Sequence, residues 1–457
     1  MHGIAGLIVL ALTWAQNDAS SKAATDHLIG LQQSDGTFKF QATEQHFEGL
    51  YSILGLAILS DRGWCPAVEK LVNHYLTLQG ADGRPGAKTY KALFEEGYIG
   101  CFLAEVALQD KHGKIKLPGD LRAKLRDSIT RMVPYFEKSQ GASGIWEYRG
   151  GQLNGYKETA VALGVLQFYR MAEALGVPSP QASIDRALQF MRSRWKDGGF
   201  VNGDLEKESS IHLTPACMAA LLWVKGKSVS DMVKAGHAFN ERREQTGYLT
   251  QWKHDEYDRI PQNLQGQARQ LVERRQMFGL FHLCLTYLRE RNPKFEKIHK
   301  QVCSLLLANP SGSNTWSSTI GTGGATAFAV LTFNLAKRDS LVFFWPDPSK
   351  SGGGSTGAWL GAQLAKAADK GVEVVKTAAN TTASGLKLKA KDVLQSLNGT
   401  EVADPEAVGA VLSGLAVGDE LIAKVLRDGK DVEAKTKVKA MPAAAARWKE
   451  EQLKGWW

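Results

Sequence analysis

The chain has 457 residues, 44% hydrophobic and 23% charged, with a formal net charge of +9. Such a composition suits folded material in more than one domain and excludes a collagen-like or disordered polypeptide. The basic residues are interleaved with acids, as in "NERREQ" and "LVERRQ", and form no stripe with stacking aromatics, which excludes a nucleic-acid surface.

Residues 1–15, "MHGIAGLIVLALTWA", hold an apolar run from Ile4 to Leu12 followed by Thr13 and Ala15. This run is too short for a span of about 20 helical residues. It reads as a signal peptide cleaved after Ala15, which makes the protein exported, periplasmic or secreted. No later segment is apolar enough to cross a membrane.

From residue 18 the chain repeats itself. Glycine turns recur as "LQQSDGTFKF" (31–40), "LQGADGRPGA" (78–87), "SQGASGIWEY" (139–148), "RWKDGGFVNG" (194–203), "QTGYLTQW" (245–252) and "NPSGSNTW" (309–316). All but the second carry an aromatic shortly after the glycine: Phe38, Trp146, Phe200, Tyr248 with Trp252, and Trp316. The glycines recur at a spacing of roughly fifty-five residues, which fits stacked supersecondary units.

Between the turns lie two kinds of helical pattern. Amphipathic ones are predicted at 20–33, 64–79, 119–138, 180–193, 228–245 and 293–307, and nearly all-apolar ones at 44–60, 92–109, 155–175, 208–225, 265–290 and 318–336. These are the needs of an outer and an inner layer, and six of each make a closed ring. Small residues in "GYKETAVALGVL" and "GGATAFAVLTF" let the inner helices approach closely, and the turn aromatics wedge between hairpins.

The short-polar, Asp-Gly, aromatic turn before a small-residue-rich helix resembles the repeat of squalene and terpenoid cyclases and of protein prenyltransferase β subunits. The resemblance covers about 18–338 and implies an (α/α)6 toroid of about twelve helices. The chemistry of those families does not follow with it. The cyclase D-x-D-D stretch is matched only by the differently spaced "HDEYD" at 254–258, and the D-x-C pair of the prenyltransferase zinc site is absent. No metal or cofactor is implied.

Polar residues near the starts of inner helices, where a toroid opens its cavity, are His46, Glu48, Glu96, Tyr98, Lys157, Glu158, Glu208, His212, Arg275, Trp316 and Thr319. Glu96, Glu158, Glu208 and His212 are the catalytic candidates, as carboxyl and imidazole groups able to move protons. Each is equally a rim residue, and Glu208 and His212 at i, i+4 are equally a helix-stabilising pair. Cys65, Cys101, Cys217, Cys284 and Cys303 have no metal-ligand spacing. They read as buried free thiols, with Cys284 and Cys303 the alternative as a bridge.

Prolines and the Gly352–Gly354 run mark a linker at 339–354. Its "LVFFW" is too apolar for water and is expected to dock on a flanking domain. Beyond it, period-2 segments "LGAQLA", "GVEVVK", "DVLQSLN", "DELIAKVLR" and "DVEAKTKV", with a helix at about 404–414, describe a small β-sandwich-like unit. The "WLGA" loop, "ASGLKLKAKDVLQSLNG" and "GDELIAKVLRDGK" fall in the order of a bacterial PDZ domain, which residues 355–440 resemble.

That resemblance implies a groove binding an extended peptide as an added strand. The peptide's carboxylate would meet the backbone N–H groups of Leu360, Gly361 and Ala362. Leu360, Leu364, Val408, Val411 and Leu412 would form the apolar pocket. A Cβ at 361 would then crowd the ligand. No "GNSGG"-like nucleophile motif accompanies the domain.

The tail, 441–457, ends in Trp456 and Trp457, either a clamp on the helical domain or a ligand for another PDZ groove. Two functions remain open. One is an exported, non-catalytic adaptor that binds peptide or protein C-termini, with the toroid's ligand unspecified. The other is an exported enzyme whose toroid acts on a polysaccharide or isoprenoid and is recruited by the PDZ domain.

Overall fold

The computed structural model describes residues 2–39, 48–86, 92–147, 157–202, 209–210, 212–225, 230–244, 265–317, 321–337, 340–344, 358–367, 371–412 and 418–440. The predicted sites His46, Glu208 and Thr319 and the tail lie outside them, as do the side chains of Glu48 and Arg275. The chain divides into two compact units, Met1–Ser349 and Lys350–Trp457.

The first unit holds α1 (His2–Gly30), α2 (Glu48–Arg62), α3 (Pro66–Leu78), α4 (Ala92–Lys111), α5 (Gly119–Ser139) and α6 (Thr159–Ala174). It continues with α7 (Gln181–Ser193), α8 (Leu213–Lys225), α9 (Ser230–Glu244), α10 (Gln265–Glu290), α11 (Phe295–Ala308) and α12 (Gly321–Asn334). The even-numbered helices pack in sequence order, α2 on α4 and so on to α12, and α12 packs back on α2. That closes an inner ring. The odd-numbered helices lie outside it, α3 and α5 each touching the inner helices beside them, and α1 seals the seam between α2 and α12.

Small residues set the inner spacing. A Cβ on Gly97 of α4 would lie 2.9 Å from the Val165 nitrogen of α6, so the two backbones meet directly. The Cys101 thiol donates to the Gly164 carbonyl in the same contact, at 3.2 Å.

The recurring turn has a mechanism that its glycine and aromatic only half reveal. Four residues before the glycine stands a glutamine. The Gln32 amide donates to Gly36 O at 3.2 Å and to Ala67 O of α3 at 2.8 Å. Gln79 donates to Gly83 O at 3.3 Å and Ser128 O of α5 at 3.1 Å, and Gln140 to Gly144 O and Ser183 O of α7, both at 2.8 Å. Each clamp ties one turn to the next outer helix.

Gly36, Gly83 and Gly144 each have positive φ, and the missing Cβ would strike the backbone of that same outer helix, as Gly83 would the Arg131 carbonyl at 2.1 Å. The aromatics fill the space toward the following inner helix: Trp146 packs on Tyr169 and Trp316 on Phe333. Their indole N–H groups donate to Phe136 O and Leu306 O, both at 2.8 Å.

The fourth turn departs from the expected all-helical plan. Trp195–Lys196 (β1) pairs with Gly199–Phe200 (β2) in a tight hairpin, because Asp197 and Gly198 both take positive φ, as a two-residue primed turn requires.

The Leu341 to Phe344 part of "LVFFW" docks on the ring. Val342–Phe344 form a 3-10 turn against α4 and α10, and Leu341 to Phe344 are buried. The Glu105 carboxylate of α4 accepts the successive amides of Val342 and Phe343, both at 2.7 Å, while Gln109 donates to Ser340 O at 2.9 Å. From α10, Arg289 donates to Phe343 O at 2.6 Å and lies between the rings of Trp223 and Phe343, 4.3 and 4.9 Å from their centres. Burial pushes the Glu105 carboxyl up and the Arg289 guanidinium down to about 9. No disulfide occurs among the described residues; Cys284 and Cys303 are both free.

The second unit is a six-stranded antiparallel sheet of β4 (Ala362–Lys366), β5 (Val372–Thr377), β6 (Val393–Leu397), β7 (Thr400–Glu401), β8 (Glu420–Arg427) and β9 (Lys430–Lys437). The order is β4-β5-β6-β8-β9, with β7 on β6. A separate pair joins β3 (Ala358–Trp359) to β10 (Lys439–Ala440). Helices α13 (Thr382–Gly385) and α14 (Pro405–Leu412) complete it, and its core is separate from that of the ring.

Candidate functional site

Two features of the second unit make a site. Among the described residues strand β4 ends the sheet, paired with β5 alone, and α14 packs beside it. Asp404 caps α14 by accepting from the Ala407 amide at 2.8 Å, and Pro405 begins the helix where its missing N–H costs nothing.

The approach to β4 is bent rather than extended. Leu360 O accepts from the Ala383 amide at 2.6 Å and Gly361 O from the Ala378 amide at 2.8 Å. In a trans peptide the N–H points opposite to the C=O. The Gly361 and Ala362 amides therefore face away from this inner anchorage. Two adjacent outward N–H groups suit a carboxylate, and the open β4 edge suits an added strand.

Gly361 holds this bend at φ +73°, which is why the strand starts at Ala362 and not at Leu360. A Cβ there would lie 2.3 Å from the Thr381 Cβ. Thr381 in turn caps α13 with Ser384 in a capping box and donates to Ala378 O at 2.7 Å. The glycine is required by the domain's own packing before any ligand arrives.

Of the apolar candidates, Leu360, Ala362, Leu364, Val408 and Leu412 share the buried core of the unit, while Val411 is partly exposed against it. Their burial shows core packing between β4 and α14.

The toroid candidates are placed differently from their predicted rim. Glu96 is fully buried and turned to the outer layer, where Arg84 pairs with it at 2.9 Å and the Tyr135 hydroxyl of α5 donates to it at 2.7 Å. Glu158 stands at the N-cap of α6 and accepts from the Asn202 amide. His212 is buried just before α8, which begins at Leu213, so it is not one turn along a helix from position 208. Among the described residues no group of three His, Cys, Asp or Glu is arranged to hold a metal.

A cavity of about 420 Å³ lies at the outer wall between α4, α5 and the α6–α7 turn, with Leu117, Leu125, Ile129 and Val177 in its lining. Its cations are engaged: Arg122 with Asp110, and Lys111 and Arg126 with the Ala174 and Leu175 carbonyls ending α6. Cations there suit the negative helix end.

An α/α toroid followed by a peptide-groove domain is the class that this architecture defines. Residues 358–438 match the family model of the PDZ domain, and the second unit is a PDZ domain. A comparison with curated proteins finds no match.

Similar solved structures include the type II terpene cyclase MstE from Scytonema, as one variant with its geranylgeranyl dihydroxybenzoate substrate. It is 11% identical, covering 72% of this chain and 98% of that chain at a TM-score of 0.46. A second variant with the product merosterolic acid A is 11% identical, over 71% and 98%, at 0.45. The Lin0763 protein from Listeria innocua is 10% identical, over 70% and 97%, at 0.45. Likeness this distant carries no chemistry to this chain, and the ring stands on its own helix adjacency.

Proposed function

We propose that the protein is an exported adaptor that binds the C-termini of peptides or proteins in the β4–α14 groove, with the toroid as a non-catalytic scaffold. The observation that carries this reading is the pair of outward amides at Gly361 and Ala362 leading into a strand edge that no described residue pairs with. Main-chain bonds along β4 would supply affinity at about 1 kcal/mol each, and one buried terminal side chain would supply selectivity at about 1.5–3 kcal/mol.

The scaffold role rests on the commitments of Glu96 and Glu158 to Arg84, Tyr135 and Asn202. Export rests on the apolar run Ile4–Leu12 and the small Ala15. Asn17, Ser20, Ser21, Ala24, Thr25 and Leu28 of α1 are buried, and all of them lie beyond the expected cleavage point.

Calorimetric titration of the full chain with peptides bearing apolar C-termini should show micromolar or weaker binding, and amidating the terminus should weaken it further by removing the charge-assisted bonds. Equal binding of the amidated peptide would refute the carboxylate site. Mass spectrometry of exported protein should find Gln16 at its start, and an intact Met1 would refute cleavage.

A further inference from the structure

The cavity in the outer wall is built by two helix faces. On α5, Arg122, Leu125, Arg126 and Ile129 follow one another at i, i+3, i+4 and i+7 and so share one stripe. On α4, Ala107 and Lys111 stand one turn apart on the facing wall, and the small Ala107 leaves room that a larger side chain would fill. Leu125 and Ile129 are buried, whereas Lys111, Arg122 and Arg126 are exposed at the mouth. Leu117, Leu175 and Val177 close the remaining sides.

The charges at the mouth do not cancel. Asp110, the carboxylate of the lining, is taken by Arg122 through two bonds and by the Leu117 amide at 2.9 Å. Lys111 and Arg126 reach instead, from two different helices, to the successive carbonyls of Ala174 and Leu175, Arg126 at the long distance of 3.4 Å. Among the described residues neither of them meets a carboxylate. The carbonyl end of α6 sets about half a negative charge against these two positive ones. Like charges brought together over an apolar hollow suit an anion with a hydrocarbon body. Among the described residues of the lining there is no aromatic ring for a base to stack on and no neutral polar side chain to recognise a sugar.

We propose that this cavity binds a medium-chain aliphatic carboxylate, a free fatty acid, with its carboxylate between Lys111 and Arg126 and its chain against Ala107, Leu175 and Val177. The volume of about 420 Å³ lies within the range of small-molecule sites. A dry cavity of roughly 150 Å³ accepts benzene, so this one suits a chain of about eight carbons. Both cations would give the head charge-assisted bonds, and their own hydrocarbon stems would cover the chain. The inference gives the toroid a ligand of its own and does not rest on the peptide groove.

Calorimetric titration of the full chain with octanoate tests this. It should show one saturable site of sub-millimolar affinity, with 1-octanol binding at least tenfold more weakly. The double variant Lys111→Gln with Arg126→Gln keeps an N–H donor at each position and removes both charges. It should weaken octanoate at least tenfold and leave octanol unchanged. Ala107→Phe, which fills the hollow, should abolish binding of both, and the charge variant decides the matter where that chain fails to fold. Absence of a saturable site, equal affinity for octanoate and octanol, or octanoate binding unmoved by the double variant would overturn the proposal. Displacement of octanoate by a peptide with an apolar C-terminus would also overturn it, by placing the acid in the PDZ groove. Flotation of the chain with phosphatidylglycerol vesicles, lost in the double variant, would replace the free acid by a lipid surface as the occupant.

Discussion

Replacing Gly361 by valine should destabilise the PDZ domain itself, whatever it does to a groove. The backbone there is at φ +73°, and the new Cβ would sit 2.3 Å from the Thr381 Cβ, 2.5 Å from its methyl and 2.6 Å from its hydroxyl. A left-handed backbone costs a residue with a Cβ about 1–2 kcal/mol, and overpacking adds about 1–3 kcal/mol. The total of about 2–5 kcal/mol is set against about 4–12 kcal/mol for a domain of this size. Hydrogen exchange of β6 and β8 amides in the full chain should therefore accelerate about thirtyfold to several thousandfold, at one decade per about 1.4 kcal/mol. Thr381→Gly should couple to it: the double variant should lose at least about 1 kcal/mol less than the sum of the singles, since neighbours sharing an obstacle are not additive. Unchanged exchange in Gly361→Val, or strict additivity with Thr381→Gly, would refute the assignment of the glycine to internal packing. Because the substitution damages the fold, loss of peptide binding in it would say nothing about the carboxylate site, and the amidated peptide is the sharper probe.

Gln140→Ala should lower the denaturant stability of the toroid by about 2–3 kcal/mol, from several bonds at about 1 kcal/mol each, whereas Gln33→Ala, whose side chain bonds the Thr37 hydroxyl at the surface, should change it by less than about 0.5 kcal/mol. Asp392 is held below its usual carboxylate range: burial opposes this, but the two bonds from Arg427, at 2.8 and 2.6 Å, the Lys389 amide at 2.8 Å and the nearby positive charges together outweigh it. Its folded-state pKa is therefore the lower one, so its contribution is present above the unfolded value near 4 and is lost as pH falls below it; acid titration of PDZ-domain stability should show this loss in the wild type and not in Asp392→Asn. Burial pushes the thiols of Cys101, Cys217, Cys284 and Cys303 up, so a maleimide should label at most Cys65 in the native protein.

The ring was legible because its signal is periodic: apolar and amphipathic helices alternate, and glycine turns punctuate them. Predicted and observed helices differ most at α1, expected over 20–33 and observed over His2–Gly30, and next at the starts of the inner set, where polar residues such as Lys157 and Glu158 lead into the helix rather than belong to it. The glutamine of the turn stood inside each of the first three turn segments and drew no attention, since one amide among polar neighbours looks like solvated loop. Its role depends on a carbonyl some 35 to 50 residues away. Glu105 and Arg289 were invisible for a related reason. A lone charge on an apolar helix reads as an exposed end, and only the return of 340–344 shows what it faces.

In the PDZ domain the five main strands and α14 followed from alternation and turns. The four-residue α13 and the two-residue pair β3–β10 are too short to carry a period. The apolar groove residues were readable as a set, but whether each lines a pocket or fills a core is a matter of packing that composition does not contain.

The seam of the ring has a consequence for chain connectivity. Ser21 of α1 bonds Asn334 of α12 at 3.2 Å, Asn334 bonds Ser60 of α2 at 2.9 Å, and Lys337 reaches Asp18. The two places where the polypeptide enters and leaves the toroid are therefore neighbours in space. Such a protein should tolerate circular permutation. With the ends of the toroid bridged by a linker and new termini opened at Gly113, where a side chain would meet nothing within 4 Å, the same six hairpins should close in a different order of synthesis. Which hairpin comes first is then an accident of gene structure, and the ring itself has no first member.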